Sequence, residues 1–196
     1  MIKYFLLILA FLSSPLASAE KPSQHDHGRS EEHSASGQQA HLHGFATLTM
    51  ALQANVLEIN LKSPAASIVG FEHKASSANN RDTIKQAQSR LESSPRLFVF
   101  AGSDCTLKQA NADMSALIKQ GSNSDDHHHD NEHNESHSEI SVSYRYECSQ
   151  GGKLETVSVN LIPLFPNIET INVMWLTDNQ QGATVLTTKS NLIRIR

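Results

Sequence analysis

The chain has 196 residues, with 16 lysines and arginines against 20 aspartates and glutamates, a formal net charge of −4, and no cluster of cations anywhere along it. That mild acidity argues against nucleic acid and against anionic membrane surfaces as partners, since both are held through lysine and arginine. The length supports one domain, or two small lobes sharing a core.

Residues 1–19, MIKYFLLILAFLSSPLASA, have the make-up of a secretory signal peptide. Lys3 supplies the positive start, Phe5 to Leu12 the apolar run, and Ala17-Ser18-Ala19 the small-residue cleavage pattern, so a cut is expected near Ala19. No later stretch approaches the ~18 apolar residues of a membrane helix, so no membrane anchor is expected. The mature chain is therefore expected outside the cytoplasm, and the style of the signal suggests a bacterial periplasm. Residues 20–40 lack any apolar cluster and read as a disordered leader carrying His25, His27 and His33.

From residue 41 onward the pattern is that of one folded domain. HGFATLTMALQANVLEINL, residues 43–61, alternates twice about Gln53-Ala54-Asn55, which predicts a β-hairpin. Ser63-Pro64 stops the second strand or caps a short helical turn, and Gly70 breaks that turn before Phe71-Glu72-His73. Residues 79–92 predict a surface helix with Asn80 as N-cap and Ile84, Ala87 and Leu91 on one face. Leu97 to Phe100 is a short apolar run. From Cys105 to Met114 alternation predicts a strand, with a helix as the alternative because alanine favours it.

After a polar insert over 121–139 come ISVSYRYEC and LETVSVNLI, both strand-like, then a loop or helical turn, a strand in TINVMWLT, and strand-like material to the end. The fold class expected is α+β, strand-rich, with antiparallel sheet or sheets and one or two helices. Cys105 and Cys148 bracket the insert. An even cysteine count in an exported protein reads first as a disulfide, closing a loop of about forty residues and stabilising by roughly 3–4 kcal/mol in the chain-entropy model. A thiolate ligand pair is the weaker alternative.

All eleven histidines lie after the signal peptide. Residues 124–139, SDDHHHDNEHNESHSE, hold five of them, His127, His128, His129, His133 and His137, with six carboxylates and no apolar side chain. Neutral imidazole suits zinc, copper and nickel, and the carboxylates add oxygen donors and attract cations. If the segment turns helical on loading, His129, His133 and His137 recur at every fourth residue and share a face. A merely solvated loop is the bland alternative, and a tract this dense in donors argues against it.

His41 and His43 stand two apart where the first strand begins, so in an extended chain both imidazoles face one side and make a pair for one zinc. Glu72 and His73 are sequence neighbours and diverge if that backbone is extended. His73 is then the better third ligand, should the hairpin start and the segment after Pro64 converge. The alternative is that His43 and His73 are hydrogen-bonded structural residues near a sheet edge. HNESH at 133–137 has HxxxH spacing but lacks the glutamate placement of HExxH metalloproteases, and no GxSxG, phosphate-binding loop or dinucleotide turn appears. A metal-dependent hydrolase would need His41, His43 and His73 as a rigid shell with Glu72 as base. A copper or nickel chaperone is the third reading.

HLHGFATLTMAL followed by LEINLKSPAASIVGFEHK resembles the ZrgA-like family of zinc-regulated bacterial periplasmic proteins. The shared features are HxHG at the domain start, an SPA turn running into VGFEH, a cysteine pair, a His/Asp/Glu-rich insert, and FPxIxxIxV, here Phe165 to Val173. The resemblance covers essentially everything after residue 40. It implies a periplasmic protein that binds Zn²⁺ and assists high-affinity zinc uptake, beside an ABC-type importer and its solute-binding protein. It makes His41, His43, Glu72 and His73 the motif positions, and it implies no enzymatic activity.

Overall fold

The computed structural model describes residues 43–93, 96–118 and 138–196. The expected signal peptide and leader, and the insert up to His137, lie outside these residues.

The hairpin forms as its alternation predicts. β1 (Phe45–Gln53) and β2 (Val56–Pro64) pair antiparallel, Leu48 opposite Leu61 and Met50 opposite Ile59, across a turn at Ala54-Asn55. Every second residue goes inward: Ala46, Leu48, Met50 and Leu52 from β1, Leu57, Ile59 and Leu61 from β2. Pro64 can end β2 because the last position of a strand does not need its N–H. α1 (Ala65–Val69) follows at once and is closed by Gly70 at φ 85°, whose N–H donates to the Ala66 carbonyl at 3.0 Å.

α2 (Ala78–Ser93) buries Ile84, Ala87 and Leu91, the face its sequence predicts. Its cap differs. The Ser77 hydroxyl accepts the Asn80 N–H at 3.1 Å, so Ser77 occupies the capping position and Asn80 lies inside the first turn, free to use its side chain elsewhere. Beyond β3 (Phe98–Ala101), Cys105–Asp113 is a strand, β4, and the helix alternative falls away. Pairing with a neighbouring strand outweighs the local preference of alanine. A 3-10 turn, Ser115–Leu117, ends this stretch.

β5 (Glu139–Cys148) opens on the last residue of the expected insert. The run read as one strand over 154–162 divides: β6 (Thr156–Val159) is extended, while α3 (Leu161–Leu164) turns helical and buries Leu161 and Ile162. β7 (Thr170–Thr177), β8 (Gln181–Thr187) and β9 (Leu192–Arg194) complete the chain.

The large sheet has the order β4-β5-β2-β1-β7-β8, and the small one β3-β6-β9. All pairs are antiparallel except β1 with β7, which run parallel from Phe45 opposite Thr170 to Leu52 opposite Thr177. The expected antiparallel pairing holds for every pair but this one, which makes the large sheet mixed; alternation within a strand carries no information about the direction of its neighbour. The core lies between the sheets. Phe98 meets Tyr144 edge-on at 5.1 Å, and Phe100 meets Tyr146 edge-on at 4.9 Å. α2 packs against the outer edge of β4 near Ala112, whose N–H the Glu92 carboxylate accepts at 2.9 Å.

Cys105 and Cys148 face each other on the first rung between β4 and β5 and form the disulfide. The fold class is α+β and strand-rich, with three α-helical segments among the described residues. Among those residues no helix is long and apolar enough to cross a membrane.

Candidate metal centre

Strand register gathers sequence-distant segments at one end of the large sheet. β1, β5 and β7 begin there, and β2 and β4 end there: Pro64 lies opposite Glu139, Asp113 opposite Ser141, and Phe45 opposite Thr170. The chain therefore brings His43, α1, the VGFEH segment, Ser138 and Glu169 to the same place.

His43 directly precedes Gly44, whose backbone is held on both sides. The Gly44 N–H donates to the Ser67 hydroxyl at 3.1 Å, and its carbonyl accepts the N–H groups of Glu169 and Thr170 at 2.8 and 3.0 Å. From this fixed point the His43 imidazole reaches outward, 64% exposed, and its Nε2 lies 3.1 Å from Oε1 of Glu72, itself only 17% exposed. The Glu72 carbonyl accepts the Ser138 hydroxyl at 2.7 Å, and the Ser138 carbonyl accepts the Ala65 N–H at the start of α1 at 2.8 Å.

His73 points elsewhere. Its Nε2 is 3.1 Å from Nδ2 of Asn80 on α2, and its ring lies 4.9 Å from that of Phe71. Phe71 and His73 thus lie together, while the Glu72 side chain turns to His43. The neighbour that meets His43 is therefore Glu72. His41 lies two residues ahead of His43 and outside the described residues, as do His127, His128, His129, His133 and His137. Among the described residues no three His, Cys, Asp or Glu side chains are grouped to hold a metal ion.

The His43–Glu72 pair has the spacing of two ligands. With zinc at ~2.0–2.1 Å from each donor in a tetrahedral shell, two donor atoms stand about 3.3 Å apart. The observed 3.1 Å needs an adjustment of only a few tenths of an ångström. As a hydrogen bond alone, an exposed His–carboxylate contact contributes about 1 kcal/mol or less to stability. One nitrogen and one oxygen leave the remaining positions of a metal open to water or other donors, which suits capture and release better than a closed structural site.

Sequence reasoning missed the hydroxyls that hold this pair. Ser67 sits among the buried residues of α1 and Ser138 is buried at the mouth of β5. A signal for Ser67 existed: a lone hydroxyl within AASIV must find a partner once buried. Asn80 was readable as polar but not as the partner of His73. Near the start of the polar insert, hydrogen bonds from Ser115 to Asp113 hold that carboxyl below the usual carboxylate range.

No curated protein matches the chain. The family model for ZrgA family zinc uptake proteins matches residues 40–195, spanning the hairpin, the VGFEH segment, the insert and the FPxIxxIxV segment. The chain belongs to the ZrgA family of zinc uptake proteins.

Proposed function

We propose that this protein captures Zn²⁺ in the bacterial periplasm and raises the supply of the ion to a high-affinity importer, handing it to the solute-binding protein of an ABC-type transporter. It acts as a binding protein and not as an enzyme. His43 and Glu72 supply a firm position, His41 is the further motif donor beside them, His73 joins only by leaving Asn80, and His127, His128, His129, His133 and His137 form a weaker, exchangeable reservoir.

The observation that carries the reading is the 3.1 Å approach of His43 Nε2 to Glu72 Oε1, two residues of the family's own motif positions held at ligand spacing. A hydrolytic centre would require a rigid three-ligand shell with a placed base, and turnover of ester, peptide or phosphate substrates by the zinc-loaded protein would favour that reading instead.

Zinc that binds only the folded form stabilises it, by about 2.7 kcal/mol at a free concentration a hundredfold above Kd. Isothermal calorimetry and thermal melting of the mature protein test this. Replacing His43 or Glu72 by alanine should remove the tightest phase of binding. Replacing the five insert histidines together by asparagine should lower the number of zinc ions bound and leave that phase in place. Zinc that neither stays with the wild-type protein through gel filtration nor shifts its melting would sink the proposal. Imidazoles bind metal only when unprotonated, so loading should fall as pH drops below about 6. Competition with copper and nickel at equal concentration distinguishes a chaperone for those ions, allowing for the greater affinity of copper at nitrogen sites.

A further inference from the structure

Two buried hydroxyls stand in matching places around the His43–Glu72 pair. The Ser67 hydroxyl accepts the N–H of the peptide joining His43 to Gly44, at 3.1 Å. The Ser138 hydroxyl donates to the carbonyl of the peptide joining Glu72 to His73, at 2.7 Å. Each therefore fixes the peptide plane immediately after one member of the pair. Ser67 is 2% exposed and Ser138 8% exposed; with Ser63, which bonds locally to the Pro64 carbonyl, they are the buried polar residues among those described. The two are also linked through α1: Ser67 lies within it, and the Ser138 carbonyl accepts the Ala65 N–H at its first residue, at 2.8 Å.

We infer that Ser67 and Ser138 are positioning residues for zinc, holding His43 and Glu72 at ligand spacing before the ion arrives; this rests on the pair being a zinc position, as proposed above. The His43 imidazole is exposed, and without restraint on its backbone it would sample many directions. A ligand pair that must first be ordered binds more weakly by the fraction of time it is correctly placed. Groups that orient metal ligands without touching the metal commonly change its affinity by ten- to a hundredfold. Ser67→Ala leaves the Gly44 N–H buried without its acceptor, and Ser138→Ala leaves the Glu72 carbonyl without this donor.

The test is zinc competition against a chromophoric chelator at neutral pH, with the full mature chain and well below its melting temperature. Under that condition nearly all molecules are folded, so a loss of fold stability alone leaves the affinity unchanged. S67A and S138A should each weaken the tightest zinc by about tenfold or more. S138T, which keeps the hydroxyl at the mouth of a strand where branching is tolerated, should stay within about threefold of wild type by the same measure of affinity. The visible spectrum of the first equivalent of Co²⁺ should shift in S138A and return in S138T. If S67A does not fold, S138A and S138T decide the matter. Tight zinc in both alanine variants, with H43A losing it, overturns the inference and leaves the pair standing. S138T as weak as S138A also overturns it. H43A that binds like wild type removes the pair itself, and the inference with it.

Discussion

Tyr144 and Tyr146 show what burial costs an ionisable side chain. Both face inward from β5 against Phe98 and Phe100. Burial pushes the Tyr146 phenol up from 10.0 to about 12, and it drives Tyr144 higher still, with Tyr146 and Glu92 adding to the effect. In the unfolded chain both phenols lose their protons near the ordinary value, while in the fold they keep them. Their contribution is therefore complete below pH 10 and is lost as pH rises toward 12 and beyond. Melting temperature should fall steeply over that range, and Tyr146→Phe should flatten the slope. An equally steep fall in the variant would show that other groups govern alkaline unfolding. The Tyr144 hydroxyl is buried with no hydrogen-bond partner among the described residues, so it carries the desolvation cost of an unpartnered polar group, about 1–3 kcal/mol, against the bulk its ring adds to the core.

Two glycines with nearly the same backbone separate conformational strain from crowding at the level of the element. Gly70 ends α1 at φ +85°, and a Cβ added there meets nothing within 4 Å. Gly102 joins β3 to β4 at φ +88°, and a Cβ added there would run into the Lys153 carbonyl oxygen. Gly70→Ala should cost about 1 kcal/mol, the left-handed penalty alone. Gly102→Ala should cost distinctly more, because backbone must move as well. Urea unfolding of the two variants side by side checks the order, and equal costs would mean that the β3–β4 turn adjusts freely. Gly70 was legible as a helix stop because only local geometry is involved. The crowding at Gly102 depends on Lys153, fifty-one residues away in the numbering, which no local pattern can reveal. The same division holds elsewhere. The hairpin, α2 and the inward faces of β5 and β7 were readable from periodicity. The end of β6 at Val159, the parallel β1–β7 pair and the choice of Glu72 over His73 as the partner of His43 were set by tertiary neighbours. The motif residues at the candidate centre were legible, and the serines behind them were not.

At the scale of the molecule, the candidate centre and the disulfide lie at opposite ends of one strand. β5 starts beside Ser138 at the candidate centre and finishes at Cys148, and ten extended residues span about 30 Å. The disulfide closes 43 residues of chain and stabilises by about 4 kcal/mol in the chain-entropy model. Replacing Cys105 and Cys148 together by alanine should lower the melting temperature markedly and change the tightest zinc affinity by less than about twofold, since sites this far apart with no shared partners act independently. Loss of tight zinc in a still-folded double variant would show that the two ends communicate. Both borders of the polar insert, the Leu117 carbonyl bonded to the Ala75 N–H at 2.8 Å and Ser138 bonded to Glu72, attach to the stretch that contains VGFEH.

The parallel pairing of β1 with β7 has a consequence for how the molecule is made. The strand that begins the domain finds one of its two neighbours only when Thr170–Thr177 has been synthesised, so the middle of the large sheet stays open through most of elongation. Such late, long-range closure favours slow folding. A nascent or truncated chain stopping short of Thr170 carries β1 with one row of amides and carbonyls unpaired, ready to template another chain. Fragments ending there should precipitate, and a cell producing this protein has reason to keep the growing chain from associating with itself until about its last seventh has been made.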